Sequence, residues 1–203
     1  MPAHTAHLRL DPLDPRTLPS AGPIQYTAGV VTVLGTTDAD DLSIDYADGD
    51  NPTAVEVLFN GEVRTFHLSK TPVRKIVFLA GAGDDSFANT TDVRSLVLGG
   101  AGDDYLSGGA GHDTLAGGAG YDELDGGDGD DVLSGGDDDD GLAGGDGDDA
   151  LAGGAGDDYL TGDAGDDALA GGGGFDSLDA GEGNDTLGGG TEDDWLDGGD
   201  GND

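Results

Sequence analysis

The sequence predicts an all-β fold: a parallel β-solenoid preceded by an irregular β cap. Three observations carry this. From Gly99 a nine-residue unit repeats without a gap through Asp197, giving eleven full repeats, and a twelfth begins at Gly198. Position 6 of the unit is Asp in all twelve, and position 8 is Leu in all eleven full repeats. Ahead of the array, apolar and polar residues alternate in short runs bounded by turn residues, the pattern of half-buried strands. A unit this short cannot bury its own apolar residue, so successive units must stack to make a core.

The elements follow in chain order. Residues 1–22 carry Pro2, Pro12, Pro15 and Pro19 and no periodicity, and are expected to form a disordered lead. Residues 23–98 are expected to form the β cap. Val30, Val31 and Val33 make one apolar run, and Leu42, Ile44 and Tyr46 alternate with polar residues. Val55, Val57 and Phe59 alternate up to Asn60-Gly61, and Val63 and Phe66 lead back. Asn-Gly supplies the positive φ angles of a type I′ turn, so a hairpin is predicted there. Ile76 to Leu79 is the last apolar strand.

Two imperfect copies of the unit lie inside the cap. Gly35–Ser43 puts Asp40 at position 6 and Leu42 at position 8, and Ala80–Ala88 puts Asp85 at position 6. Asn89 to Leu98 reads as an off-frame stretch. A cap is expected because an open solenoid end exposes its core and unpaired strand edges.

Residues 99–203 are the array itself. Positions 1 to 6 need a tight turn with positive φ, which Gly adopts freely. Positions 7 to 9 form a short strand with Leu inward. Two units make one 18-residue turn, so strands from units n and n+2 stack in one parallel sheet. Residues 99–152 and 153–203 also align at a spacing of 54, with Tyr105 matching Tyr159 and Tyr121 matching Phe175. This is the mark of a duplicated six-repeat block.

Composition narrows the chemistry. Residues 95–203 hold 31 of the 44 acidic residues and none of the seven Lys and Arg. Such a segment repels nucleic acid and anionic membrane surfaces, and cations are its natural partners. Cysteine is absent, which removes disulfides and thiolate metal sites. Oxygen ligands remain, and they favour hard cations, Ca2+ above all. No apolar run approaches the ~20 residues of a membrane span.

Glycine-rich turns with a fixed Asp and a fixed Leu, as in Gly99-Gly100-Ala101-Gly102-Asp103-Asp104-Tyr105-Leu106-Ser107, resemble the RTX (hemolysin-type) calcium-binding nonapeptide repeats. The resemblance covers slightly more than half the chain. It implies a β-roll with Ca2+ between stacked turns, held by Asp carboxylates and main-chain carbonyls in shells of roughly 6–8 oxygens. The implied ligands are Asp85 and two rows. One row is Asp104, Asp122, Asp140, Asp158, Asp176 and Asp194; the other is Asp113, Asp131, Asp149, Asp167, Asp185 and Asp203.

The resemblance also implies an extracellular, secreted or surface location and export by type I secretion machinery through a C-terminal signal. The first residues lack the apolar stretch of a secretory signal peptide, and the sequence stops within a repeat, as a fragment of a longer protein would. One Leu in nine residues is a thin core for a glycine-rich chain to order itself around. Metal binding to the folded state alone must therefore supply stability. A solvated acidic tail is the competing reading of the same residues; the strict register of Asp with Leu argues against it. That reading is expected to describe the chain without calcium.

Several repeats depart from the pattern. Asp138 and Glu192 replace the position-4 Gly, Asp163 a position-2 Gly and Ala180 a position-1 Gly. The turns at Asp138 and Glu192 are expected to be strained, or to gain a side-chain ligand. Position 5 accepts Asp, His112, Tyr121, Phe175 and Asn184 alike, so its side chain should point outward.

No enzymatic activity is expected. His4, His7, His67 and His112 are scattered, and neither H-E-x-x-H nor G-x-S-x-G occurs. The alternative to a structural and export module is a calcium-dependent carbohydrate-binding module, similar to those of alginate epimerases. Tyr105, Tyr159 and Trp195 share position 7 of odd-numbered repeats, which puts them on one sheet as a candidate glycan face. A third possibility is a fragment of an enzyme whose catalytic domain lies elsewhere.

Overall fold

The structure is a computed structural model, and it describes residues 24–47, 54–67 and 72–203. The lead expected over residues 1–22 lies outside the described residues. All regular structure among the described residues is β. The cap contributes β1 (Gln25–Thr27), β2 (Val30–Leu34), β3 (Asp41–Tyr46), β4 (Ala54–Phe59), β5 (Glu62–His67), β6 (Lys75–Ala82) and β7 (Ser86–Asn89). Then come β8 (Ser95–Ala101), β9 (Tyr105–Ala110), β10 (Thr114–Ala119), β11 (Glu123–Asp128), β12 (Val132–Asp137) and β13 (Gly141–Asp146). The array continues through β14 (Ala150–Ala155), β15 (Tyr159–Ala164), β16 (Ala168–Gly173), β17 (Ser177–Gly183), β18 (Thr186–Thr191), β19 (Trp195–Asp197) and β20 (Asp200–Gly201).

Two sheets face each other. One runs β1-β2-β6-β8-β10-β12-β14-β16-β18, the other β19-β17-β15-β13-β11-β9-β7-β3-β4-β5, with β20 beside β17. Array strands are parallel and offset by 18 residues: Leu115 pairs with Leu133, and Leu124 with Leu142. This is the predicted solenoid, two units per turn. Alternate units feed opposite sheets, and position-8 Leu residues meet between them. Leu106, Leu115, Leu124, Leu133, Leu142, Leu151, Leu160, Leu169 and Leu178 are all buried. Leu187 is only partly buried, and Leu196 is 43 % exposed. Both keep the register of the inward leucines, opposite Leu169 and Leu178, but lie on the last strands of the two sheets, where no further turn is stacked on them.

The cap closes the other end with antiparallel pairing. β4 and β5 form the predicted hairpin, with Asn60 at φ 46° and Gly61 at φ 81°, the positive pair that a type I′ turn requires. A second hairpin, β1–β2, turns at Ala28 (φ 53°) and Gly29 (φ 91°). Phe59, Phe78 and Phe87 are fully buried; Phe59 meets Phe78 edge-on at 6.0 Å between ring centroids, and Phe78 stacks on Phe87 at 6.1 Å. At this end larger aromatic side chains take the place of the single leucine per unit.

Stacking does not stop between cap and array. β2, β6 and β8 are parallel neighbours, as are β3, β7 and β9. Asn89–Leu98, expected to be off-frame, is a full unit with one extra residue. Its strand is in register, Leu96 opposite Thr114 and Val97 opposite Leu115. The Asn89 side chain holds the longer turn: its Nδ2 donates to the Val93 carbonyl at 2.7 Å, and its Oδ1 accepts from the Thr91 N–H at 2.9 Å.

Candidate metal centre

The turns joining the two sheets lie along the edges of the solenoid, and position 6 ends each one. Its Asp side chain folds inward because the strand that follows begins with the next residue. The position-6 aspartates from Asp85 to Asp185 are almost wholly buried. One oxygen of each has a clear task. Oδ1 of Asp122 accepts from the N–H of Asp104 at 2.9 Å, and Oδ1 of Asp140 from the N–H of Asp122 at 2.9 Å. The ladder continues to Asp194 on this edge. On the other edge it runs from Asp113 through Asp131, Asp149, Asp167 and Asp185 to Asp203. Both predicted rows are therefore assembled. Asp194 is half-buried and Asp203 exposed at the end of the stack.

The second oxygen has no such task. Oδ2 of Asp85, Asp104, Asp113, Asp122, Asp131, Asp140, Asp149, Asp158, Asp167, Asp176 and Asp185 is buried without any hydrogen-bond partner. A buried polar atom without a partner costs on the order of 1–3 kcal/mol, and more when charged. Burial accordingly pushes these carboxyls up. Asp85, Asp104, Asp113, Asp149 and Asp158 rise to about 6, and Asp131 and Asp140 to about 7. The hydrogen bond at Oδ1 opposes the shift, and facing carboxylates along a row add to it for most members. Asp122, Asp167 and Asp176 are raised by the same burial.

What faces nine of these eleven oxygens is the bare Cα of the position-1 glycine of the same unit. At position 1 the backbone is outside the left-handed region, so Gly is not there for its φ. A Cβ on Gly108 would stand 2.6 Å from Asp113 Oδ2 and 2.7 Å from the Gly126 carbonyl oxygen, one turn on. The same two kinds of oxygen flank this point at Gly99, Gly126, Gly162 and Gly171. A larger residue at position 1 would push these oxygens apart; a partnerless carboxylate oxygen close to main-chain carbonyls is a hard oxygen set, and the residues present fit Ca2+. Among the described residues no three His, Asp or Glu side chains converge as a metal cluster. The site is of a different kind, with one carboxylate per unit and the remaining oxygens from the chain itself.

Three features were not foreseen. Asp40 continues the first row, donating its N–H to Asp85 Oδ1 at 2.6 Å. Its own oxygens are satisfied by the Thr36 N–H (2.6 Å) and by Asn60 Nδ2 (2.5 Å). Ser95 opens the second row, with its N–H donated to Asp113 Oδ1. Position-5 aspartates make an outer ladder in the opposite sense: Asp139 Oδ1 accepts from the N–H of Asp157 at 2.8 Å, and Asp157 Oδ1 from the N–H of Phe175 at 2.8 Å. These side chains are exposed, as their mixed composition predicted. The strain expected at Asp138 and Glu192 is present, at φ 80° and 78°, and Asp163 at position 2 takes φ 72° as well.

The RTX calcium-binding nonapeptide repeat (4 copies), as a family model, matches residues 96–124, 107–142, 122–151, 143–178 and 179–203. Together these matches span more than half the chain. The chain belongs to this family, and it binds calcium through a parallel β-solenoid of nonapeptide repeats. No curated protein matches it. No helix among the described residues is long and apolar enough to cross a membrane.

Proposed function

We propose that the position-6 aspartates, Asp104 to Asp203 in two rows with Asp85 at the head of the first, are the calcium ligands, and that ions drive folding. The observation that supports this most is the series of eleven buried carboxylate oxygens without a hydrogen-bond partner. Left ionised and unpaired, they oppose the fold. Paired with a divalent ion, they hold adjacent turns together. The array, residues 99–203, is then unfolded where calcium is scarce and folded at millimolar extracellular calcium. This suits a secreted or surface protein that leaves the cell unfolded, and it assigns the chain a structural and export role with no catalysis of its own. Residues 23–98 act as the cap that seeds the stack.

Circular dichroism during a calcium titration tests this. Coil in chelator should convert to β structure with calcium, and magnesium should substitute poorly because it prefers small, hydrated octahedral sites. A chain equally folded in excess chelator would overturn the proposal.

The carbohydrate-binding reading draws on the outer face of one sheet. Tyr159, Ser177 and Trp195 are in register on β15, β17 and β19, with both aromatics about half exposed. Two strand spacings put the rings about 10 Å apart, within reach of alternate sugars of an extended glycan. Trp195 fluorescence with oligosaccharides in calcium tests this reading. No response to neutral or acidic glycans would leave the structural module alone.

A further inference from the structure

We propose that the outer face of the sheet from β2 to β18 is covered by the same face of a second copy of this chain, laid antiparallel, so that the cap end of each solenoid lies over the open end of the other. The inference needs a folded array, and so rests on the calcium reading above. The chain has a net charge of −37, yet the centre of this face carries none. Side chains at positions 7 and 9 point outward and stand in two columns, in register from strand to strand. From β2 to β18 both columns hold only Val, Leu, Ala, Thr, Ser and Gly. The repeat does not impose this, because the same columns of the other sheet hold Glu123, Asp125, Asp179 and Asp197. Leu79, Leu98 and Val132 are 38 %, 44 % and 50 % exposed on the uncharged face. It is a surface on which two strongly anionic chains can meet without setting carboxylates against each other.

Side-chain size fixes the orientation. Val77 and Leu79 on β6, with Leu96 and Leu98 on β8, make the cap end bulky. Ala150 and Ala152 on β14, with Ala168 and Ala170 on β16, make the far end shallow. A two-fold axis along the strands, between β10 and β12, sets β8 of one copy over β14 of the other, and β6 over β16. Large side chains then meet small ones, as packed sheet faces require. The parallel arrangement would set leucine on leucine at one end and leave a gap at the other.

Charge along one edge agrees with that axis. Lys75 opens β6, and Arg94 and His112 lie in the turns that enter β8 and β10; Asp130, Asp148 and Asp166 lie in those that enter β12, β14 and β16. The axis brings Arg94 of each copy beside Asp148 of the other, and Lys75 beside Asp166. Eight strands take part. At about 4.8 Å between strands and about five residues of 3.3 Å each, they cover roughly 600 Å2 per copy. The total of about 1,200 Å2 reaches the range of stable interfaces.

Sedimentation velocity of the full chain in saturating calcium tests this, with circular dichroism as the control for folding. The parent should sediment as a dimer of twice 20.1 kDa. Ala152→Glu with Ala170→Glu should leave a folded monomer. Arg94→Glu should weaken the dimer on the order of tenfold, since two pairs turn repulsive, and adding Asp148→Arg should restore it. The chain has no cysteine, so Leu98→Cys with Ala152→Cys should cross-link two copies, whereas either change alone should not. A folded parent that stays monomeric at high concentration would overturn the inference. So would a folded monomer that binds phosphatidylcholine vesicles instead, which would give the face to a lipid surface. A chain that remains coil in calcium would overturn the calcium reading, and this inference with it.

Discussion

Acid should stand in for calcium, in part. In the metal-free fold the burial of Asp131 and Asp140 raises their carboxyls from an ordinary 3.8 to about 7, and that of Asp104, Asp113, Asp149 and Asp158 to about 6. The folded state then holds protons that the unfolded chain has released. A group whose folded pKa is raised stabilises the fold fully below about 3.8, and that contribution is lost as pH rises through 6 to 7. The perturbation is a change from pH 8 to pH 5 in chelator, which stays above the isoelectric point of 4.1, where the chain would self-associate. Each carboxyl at about 6 gains roughly 1.5 kcal/mol over that interval, and each at about 7 gains roughly 2.5 kcal/mol. Circular dichroism and thermal melting in chelator should show more β structure, or a higher melting temperature, at pH 5 than at pH 8. Calcium needs the same carboxylates ionised, so its binding to the acid-stabilised form should expel protons. Calorimetry in two buffers of different ionisation enthalpy would measure them. Asp140→Asn should reduce the proton count by about one. A chelated chain that loses β structure or melts earlier on acidification would refute the reasoning.

Three further outcomes are expected. Leu142 is 2 % exposed between Leu124 and Leu160; Leu142→Ala should cost about 2–5 kcal/mol in denaturant titrations at saturating calcium, and an unchanged midpoint would deny the leucine stack its role. Asp138→Gly and Glu192→Gly relieve residues at φ 80° and 78°, a conformation costing on the order of 1 kcal/mol or more; both should raise the melting temperature in calcium. Deleting residues 1–79 removes the partners of Phe87 and Val97, Leu42 and Phe78, and should raise the calcium midpoint or flatten its cooperativity; an identical titration curve would make the cap dispensable.

The nine-residue period by itself determined the parallel solenoid, because a side chain that must turn inward once per unit can do so only if units stack. It also determined the two Asp rows and their 18-residue spacing, since alternate units feed opposite sheets. Asn60-Gly61 announced its hairpin because few other pairs adopt two positive φ angles. Ala28-Gly29 makes the same turn with Ala at φ 53°, and no sequence preference advertises that. Asn89–Leu98 looked out of frame because it carries one extra residue; only the side chain of Asn89, bonded within the turn, shows how the insertion is absorbed. Asp40 and Asp104 hold the same place in the repeat, yet Thr36 and Asn60 reach the first and nothing reaches Oδ2 of the second. Which carboxylates are left to a cation is a matter of neighbours one turn or one hairpin away. Such contacts are fixed by stacking register and burial, and those exist only once the chain has folded.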